Sequence, residues 1–586
     1  MSTIDWLILC CTLFGIIGYG LYKSRTTRNL EGYFLSNRSM PWYLVLLSIM
    51  GTQASAITFL SAPGQAFTDG MRFVQYYFGL PIAMVVLCIT FVPLFKRLKV
   101  YTAYEYLEQR FDVQTRTLTS FLFLLQRGLS TGISIYAPSI ILSSLLGWNI
   151  FLTNIVMGGL LIIYTVSGGA RAVAYTQQLQ LIIIFIGMFL AGYMIVHLMP
   201  EGIGFTDALH ISGASGKLNV ITTGVTNGSF DWNDKYNIFS GVIGGFFLAL
   251  SYFGTDQSQV QRFLTAKDTT ESKRGLLMNG LVKVPMQFLI LLIGALLFTF
   301  YQFKPSPVFH NRAVEEKAML TTYKDSLSNI KQQYGVINAQ QNNRSVSYLQ
   351  SLDSDQPENQ LFKDSLQIGN MQMDSLRVVY KSYIKQALPL ADTNDTNYIF
   401  LRFVVDYLPV GLIGLLIAII FLAAWGSIAA ALNSLASCTM IDFHNRFRNP
   451  ITASDIQDGK DYNLSKWYTF AWGIFCIIVA QFANRMGSLI EAVNILGSLF
   501  YGVILGIFLV AFYLKRIGGK AVFWSAVVSE LIIITLFILN AYGLFQLSFL
   551  WLNAVGALLV VGIAMLLQPM MKNGNSITAY SNLKKG

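Results

Sequence analysis

Charge is what this sequence has least of. Asp, Glu, Lys and Arg make up 12% of its 586 residues, while 54% are hydrophobic. Soluble domains carry about 25% charged residues, so the composition excludes a soluble globular chain and points to a polytopic membrane protein. Cysteine is scarce as well. The five present (Cys10, Cys11, Cys88, Cys438, Cys476) fall in or at the ends of apolar segments, which excludes a disulfide framework and suits small core residues. Four scattered histidines give no metal-ligand spacing, and no clustered nucleophile or acid–base pair suggests an enzyme. No basic stretch precedes the first apolar run, so an uncleaved helix is expected there rather than a signal peptide.

What is present is a series of apolar runs. Thirteen candidate spans are expected, at about 5–22, 42–68, 73–95, 118–146, 150–167, 173–199, 238–263, 276–303, 400–440, 467–484, 488–514, 521–543 and 547–571. The formal charge of +11 does not indicate nucleic acid, because the basic residues concentrate in every second connection. More than twenty lie in one set, among them Lys23, Arg25, Arg28, Lys96, Arg97, Arg446 and Lys515; the short loops of the other set hold only Arg72, Lys217, Lys235 and Arg485. By the positive-inside rule the N-terminus is outside and the C-terminus cytoplasmic, in a plasma or inner membrane. One hydrophilic insert, 304–397, with ten basic and ten acidic residues, falls on the outer side. Loose helical spacing at 311–340 and 360–387 suggests a helical hairpin there.

The span at 42–68 departs from a lipid-facing helix. Gly51, Thr52, Gln53, Ala54, Ser55 and Ala56 put small and polar groups at its middle. A helix interrupted there frees carbonyls at membrane depth, where they must line a cavity or hold an ion. The same residues also suit a seam for close helix packing. Span 7, SGVIGGFFLALSYFGTDQSQVQRFL, is interrupted in the same way. Spans 2–6 and 7–11 are equal in number, and five is odd, so the two sets enter the membrane from opposite sides: the count of an inverted repeat with its site between the broken helices. The expected divisions are an extra helix and loop at 1–41, repeats at 42–199 and 238–514 joined by an outer loop at 200–237, two further helices at 515–571 and a tail at 572–586. Arg127, about 14 Å into span 4, is either a counter-charge for a carboxylate solute or the partner of Asp256. Lys283 and Arg402 are expected to snorkel from span ends.

Several segments together resemble the sodium:solute symporter family: SAITFLSAPG, IYTVSGGARAVAYTQQLQ, YFGTDQSQVQRFLTAKD, LAAWGSIAAALNSLASCTMIDFH and EAVNILGSLFYGVILGIFL. The resemblance covers residues 5–571 apart from the insert. It implies the LeuT-type fold, an all-α core of two inverted five-helix repeats, and sodium-driven uptake of a small solute by alternating access. It also implies a sodium site on Gly51, Ala54 and Ala423 carbonyls and the Ser427 hydroxyl, a donor set that suits a hard cation. Gly426, where members carry a second hydroxyl, and Gln177, where many have aspartate, depart from the pattern and leave proton coupling open. The implied substrate pocket is lined by Gln53, Ala56, Thr58, Tyr76, Tyr77 and Tyr252, together with Arg127. Ala249 and Thr58 stand at sugar-binding positions, which disfavours a hexose; SAITFLSAPG looks closer to the branch carrying monocarboxylates, vitamins and small anions. The partners expected are the solute and the bilayer. A transporter-like sensor is the competing class, disfavoured because no signalling segment follows Lys572.

The topology has a direct check. Single cysteines introduced into 304–397 of a cysteine-free variant should react with impermeant reagents added outside intact cells; labelling only after permeabilisation would refute the orientation.

Overall fold

In hydrocarbon every main-chain N–H and C=O must be satisfied within the protein, and for apolar runs of this length helix is the arrangement that does so. The computed structural model follows that rule. It describes residues 1–24, 30–226, 228–353, 359–448, 458–483 and 488–571; Arg25, Arg28, Arg485 and the 572–586 tail lie outside them. Helix α1 (Thr3–Ser24) precedes a bent pair, α2 (Trp42–Gln53) and α3 (Ala56–Asp69), whose axes differ by 61°. Then come α4 (Met71–Leu98), α5 (Val113–Leu146), α6 (Ile150–Val166), α7 (Ala170–His197) and the short α8 (Phe205–Ala214). Helicity runs on from α6 into α7, yet the hydroxyls of Tyr164 and Thr176 are 2.5 Å apart. Twelve residues of straight helix would separate them by about 18 Å, so the chain doubles back between α6 and α7.

A second interrupted pair follows, α9 (Ser240–Thr255) and α10 (Gln257–Leu264), then α11 (Thr269–Phe303). After the insert come α15 (Ile399–Tyr407), α16 (Leu412–Cys438), α17 (Asp458–Ala480), α18 (Leu489–Tyr513), α19 (Gly519–Ala541) and α20 (Phe549–Leu567). The insert itself supplies α12 (Arg312–Ala318), α13 (Lys324–Asp353) and α14 (Asn359–Ala387), so helices form where the spacing suggested them. Among the described residues the sheet is limited to Val225–Thr226 paired antiparallel with Ser229–Phe230.

Eight described helices are long and apolar enough to cross a membrane, nine if the bent pair counts as one span. A count of thirteen is therefore not established: α6 and α9 are shorter than a full crossing, and α5 and α17 are not among the eight. Expected span 9 is two helices, because Pro409 cannot continue α15 and Gly411 adopts φ +94° before α16. Cys10 and Cys11 are exposed on α1 rather than in the core.

The centre is α16. From Ile413 to Cys438 nearly every side chain is buried, and the helix packs against α1, α2, α3, α5, α17 and the α6–α7 pair. Its small residues make that possible, since Ala and Gly let helix backbones approach closely. Asp5 of α1, wholly buried, accepts from the Gly411 and Gly414 amides at 2.7 and 3.2 Å and satisfies two donors at the start of α16. On the other side, α3 is wedged: a Cβ on Gly64 would run into the Thr396 carbonyl, and one on Gly294 into that of Pro63.

The insert has its own small core, with Leu327, Tyr334, Tyr380 and Ile384 at its centre, and docks on α8 and α11. A buried ionic cluster ties its two ends. Asp395 accepts from the His310 amide (2.8 Å) and pairs with Arg377 (3.1 Å), Lys381 (2.6 Å) and His310 Nδ1 (2.8 Å). Arg377, His310 and Lys381 hold the Asp395 carboxyl well below the usual carboxylate range against the opposing effect of burial. Burial pushes His310 down to about 4. A histidine that resists protonation when folded contributes stability that is complete above its unfolded value of about 6.5 and is lost as pH falls through the folded one. The melting temperature of the purified protein should therefore drop between pH 6.5 and 4, and that drop should shrink in His310→Gln; an unchanged slope would mean that His310 is not the group responsible.

Candidate substrate and ion site

The break between α2 and α3 follows from local hydrogen bonding. The Ala54 amide still reaches Met50 O (2.7 Å), but Ser55 N turns to Gln53 O (3.0 Å) instead of closing the next helical turn. Among the described residues no main-chain amide then reaches Gly51 O or Ala54 O. These are buried residues, so two carbonyl oxygens are left free at the kink. On α16, which packs against both halves of the kinked pair, Ser427 donates its hydroxyl back to the carbonyls of Ala423 and Ala424, at 3.1 Å each. The expected ligands, the carbonyls of Gly51, Ala54 and Ala423 and the Ser427 hydroxyl, are neutral oxygens throughout, a chemistry that suits a hard cation.

Gln177 of α7 forms a neutral cross-link. Its carbonyl accepts from Ser48 (2.8 Å), and its amide donates to Thr52 (3.2 Å) and to Gly426 O (3.0 Å), joining α2, α7 and α16. Gly426 makes room for this. A Cβ there would sit 2.6 Å from Gln180 Oε1 and 3.3 Å from Gln177 Cγ, so its free face is turned to α7. The two departures from the family pattern are thus neighbours in space.

The second break is at Asp256, whose backbone is extended (φ −73°, ψ 117°) between α9 and α10. Its carboxylate caps α10 through the Ser258 amide (2.7 Å) and hydroxyl (2.6 Å) and accepts from Tyr501 (2.7 Å). Arg127 of α5 lies 3.7 Å from the same carboxylate and 6.0 Å from the Tyr252 ring. That distance is an ion pair without a hydrogen bond, and Arg127 Nε is buried with no partner among the described residues. Arg127 is therefore both the neighbour of Asp256 and a cation with donors to spare.

The other expected residues divide. Gln53, at the first kink, is half-buried with Oε1 unpartnered, while Ala56 and Thr58 are buried at the start of α3. Tyr76 and Tyr77 pack edge to face at 4.7 Å on α4, and the Tyr76 hydroxyl donates to Asn494 of α18 (3.2 Å). Tyr252 is held by Gln259 (2.7 Å) and lies 5.8 Å from Tyr501. Asn494 and Tyr501 were not singled out in sequence, since one amide and one phenol in an apolar span carry no spacing signal. Lys283 corrects the expectation of snorkelling. It is fully buried, its ammonium 5.6 Å from the Tyr77 ring, on one stripe of α11 with Asn279 and Gln287, all three with polar atoms that find no partner among the described residues. Residues 279, 283 and 287 recur every four positions, a polar stripe that could have been read as an inward face. Arg402 instead pairs with Asp406.

A profile of the sodium:solute symporter family matches residues 33–323 and 377–529. The chain belongs to that family. The sodium/sialic acid symporter NanT of Aliivibrio fischeri is 24% identical over 98% of this chain and 94% of its own length; the sodium/sialic acid symporter SiaT of Proteus mirabilis is 26% identical over 95% and 93%. A solved Na+-coupled sialic acid symporter, substrate-bound and outward-open with a novel Na+-site, aligns at a TM-score of 0.73 and 23% identity, covering 98% of this chain and 100% of that one, and shares the fold. This symporter is a multi-pass membrane protein with sodium as its coupling ion. The leaning toward the monocarboxylate, vitamin and small-anion branch is not supported: the two relatives just named, matched over nearly the whole chain, are sialic acid symporters. SAITFLSAPG lies along the kink and α3, where it serves the interruption of a helix rather than one solute.

Gln177→Leu would leave Ser48, Thr52 and the Gly426 carbonyl without their partner in a buried seam. A loss of roughly 2–4 kcal/mol is expected, read as a lower melting temperature in detergent; a stability equal to wild type would show the cross-link to be dispensable.

Proposed function

We propose that this symporter couples sodium entry to uptake of an anionic sugar acid of the sialic acid type. Arg127 carries the proposal: a buried guanidinium at the second helix break, with a donor unpartnered, because Asp256 is already occupied by Ser258 and Tyr501. An incoming carboxylate supplies the fork of acceptors that a guanidinium pairs with best. Tyr76, Tyr77, Tyr252, Gln53 and Thr58 provide aromatic faces and polar groups for the rest of the sugar, while Ala56 leaves space beside the kink. The relatives' substrate, sialic acid, is a carboxylated sugar, and this unites the two clues of the sequence, an anion but no plain hexose.

Sodium is held in this proposal by the free carbonyls of Gly51 and Ala54, with Ala423 O and the Ser427 hydroxyl across the seam. Bound there, the cation completes the acceptors that the kink leaves open and draws α2 and α3 onto α16. Alternating access then acts on ties at the two faces. On the insert face, taken as outside, Tyr76 bonds Asn494, Ser488 bonds Gln65 (3.4 Å) and Lys235 pairs with Glu491 (3.0 Å). On the opposite face Arg116 pairs with Asp442 (2.6 Å) and Glu108 (2.8 Å).

Proteoliposomes with an imposed sodium gradient test both halves. Arg127→Gln should abolish sialic acid uptake while the protein remains folded and inserted. Ser427→Ala should raise the sodium concentration for half-maximal uptake by about tenfold or more, as expected for the loss of the only side-chain ligand. Uptake of sialic acid by Arg127→Gln at the wild-type rate would overturn the substrate assignment, and an unchanged sodium dependence in Ser427→Ala would remove the ion site.

A further inference from the structure

The family profile skips residues 324–376, which take in all of α13 and more than half of α14. This part of the insert closes a cavity of about 250 Å3 over the outer end of α3, and no role described so far uses it. Its floor is aromatic, formed by Phe67 of α3 with Phe298 and Tyr301 of α11. Tyr301 is 1% exposed, and its hydroxyl has no partner among the described residues. Three cations line the walls, Lys217, Arg377 and Lys381. Asp395, behind the wall, is shared between Arg377 and Lys381. Lys217 makes no salt bridge among the described residues: its ammonium donates to Thr68 O (2.7 Å) and lies 4.7 Å from the Phe298 ring. Asp374, on the exposed rim, is the one acid in the lining, so cations outnumber acids even when Asp395 is counted.

We propose that this cavity is a second binding site, on the outer surface, for a small sugar acid. The carboxylate is met by Lys217 and the open side of the Arg377–Lys381 pair, and the hydroxyls by Asn370 and Tyr334. The apolar face of the ring rests on Phe67 and Phe298. A sugar acid satisfies the whole lining, whereas a plain sugar leaves the cations unanswered and a bare inorganic anion leaves the aromatic floor unused. The size suits a single monosaccharide, just below the roughly 300–1,000 Å3 usual for small-molecule sites. Phe67 and Thr68 belong to the last turn of α3, whose first turn carries Ala56 and Thr58. Occupancy above is thereby joined through one helix to the central site. That the solute held here is also the one transported rests on the function proposed above; the sugar-acid site itself does not.

The test uses the full-length protein in nanodiscs, sodium-free, with sialic acid and galacturonate as calorimetric probes. In Arg127→Gln, which disables the central site, at least one of the two acids should still bind. Adding Lys217→Gln should weaken that binding by about tenfold, the size expected for one charge-assisted contact. Asn370→Asp, which keeps the acceptor for Gln341 (2.8 Å) and adds a negative charge to the wall, should abolish it. Neither cavity substitution should change the maximal rate of sodium-driven uptake. If Arg127→Gln binds neither acid, or if both cavity variants bind as Arg127→Gln alone does, the site does not exist. If galacturonate binds in a Lys217-dependent manner while wild type transports no sialic acid, the outer site stands and the transport proposal fails.

Discussion

Two carbonyl oxygens without amide partners, on Gly51 and Ala54, are the constraint around which this symporter is arranged. A free carbonyl buried at membrane depth is costly, on the order of 1–3 kcal/mol each, and survives only where something else meets it. The kink therefore needs a close, polar and tightly packed surrounding. Helix α16 supplies the closeness through its run of Ala, Gly and Ser. Gln177 supplies the polar link across the seam. Asp5 anchors the start of α16 from the N-terminal helix, so even a peripheral element bears on the position of the centre.

The second break shows the same logic with a charge. Asp256 interrupts α9 and α10 and answers the freed amides with its own carboxylate, as N-cap residues do. Tyr501 then takes the remaining oxygen, and Arg127 is attracted to the pair without being consumed by it. A buried cation held this way is pre-positioned for an anion, since its desolvation has already been offset by a fixed neighbour. At the first break the exchange runs the other way. Gln177 offers a neutral amide, and Gly426 withdraws the side chain that would have competed with it for space. The first break is neutral, and the second holds the charge.

The helical insert adds a layer beyond the family's pattern. Its buried cluster of Asp395, Arg377, Lys381 and His310 fixes the two ends of the insert to each other and lies against Phe67 at the end of α3. A segment of roughly ninety residues can be accommodated there because it carries its own small hydrophobic core. Its helices nevertheless pack against α8 and α11 rather than standing free, so the C-terminal half of the first broken helix is covered by the insert.

Composition and periodicity alone determined a good deal: a helical membrane protein, the positions of its long apolar runs, the two interrupted helices and the helical insert. These are legible because the period of a helix and the requirements of hydrocarbon act on every residue in turn. The family was legible from ordered motifs, each of which serves a local need. Branch and solute were not, since a pocket is assembled from residues hundreds of positions apart. Only the tertiary structure decided that Lys283 is buried against Tyr77 rather than reaching for an interface, and that Gln177 and Gly426 compensate one another. In each case the deciding contact joins separate helices, and a one-dimensional pattern records which face a residue is on but not what lies opposite it.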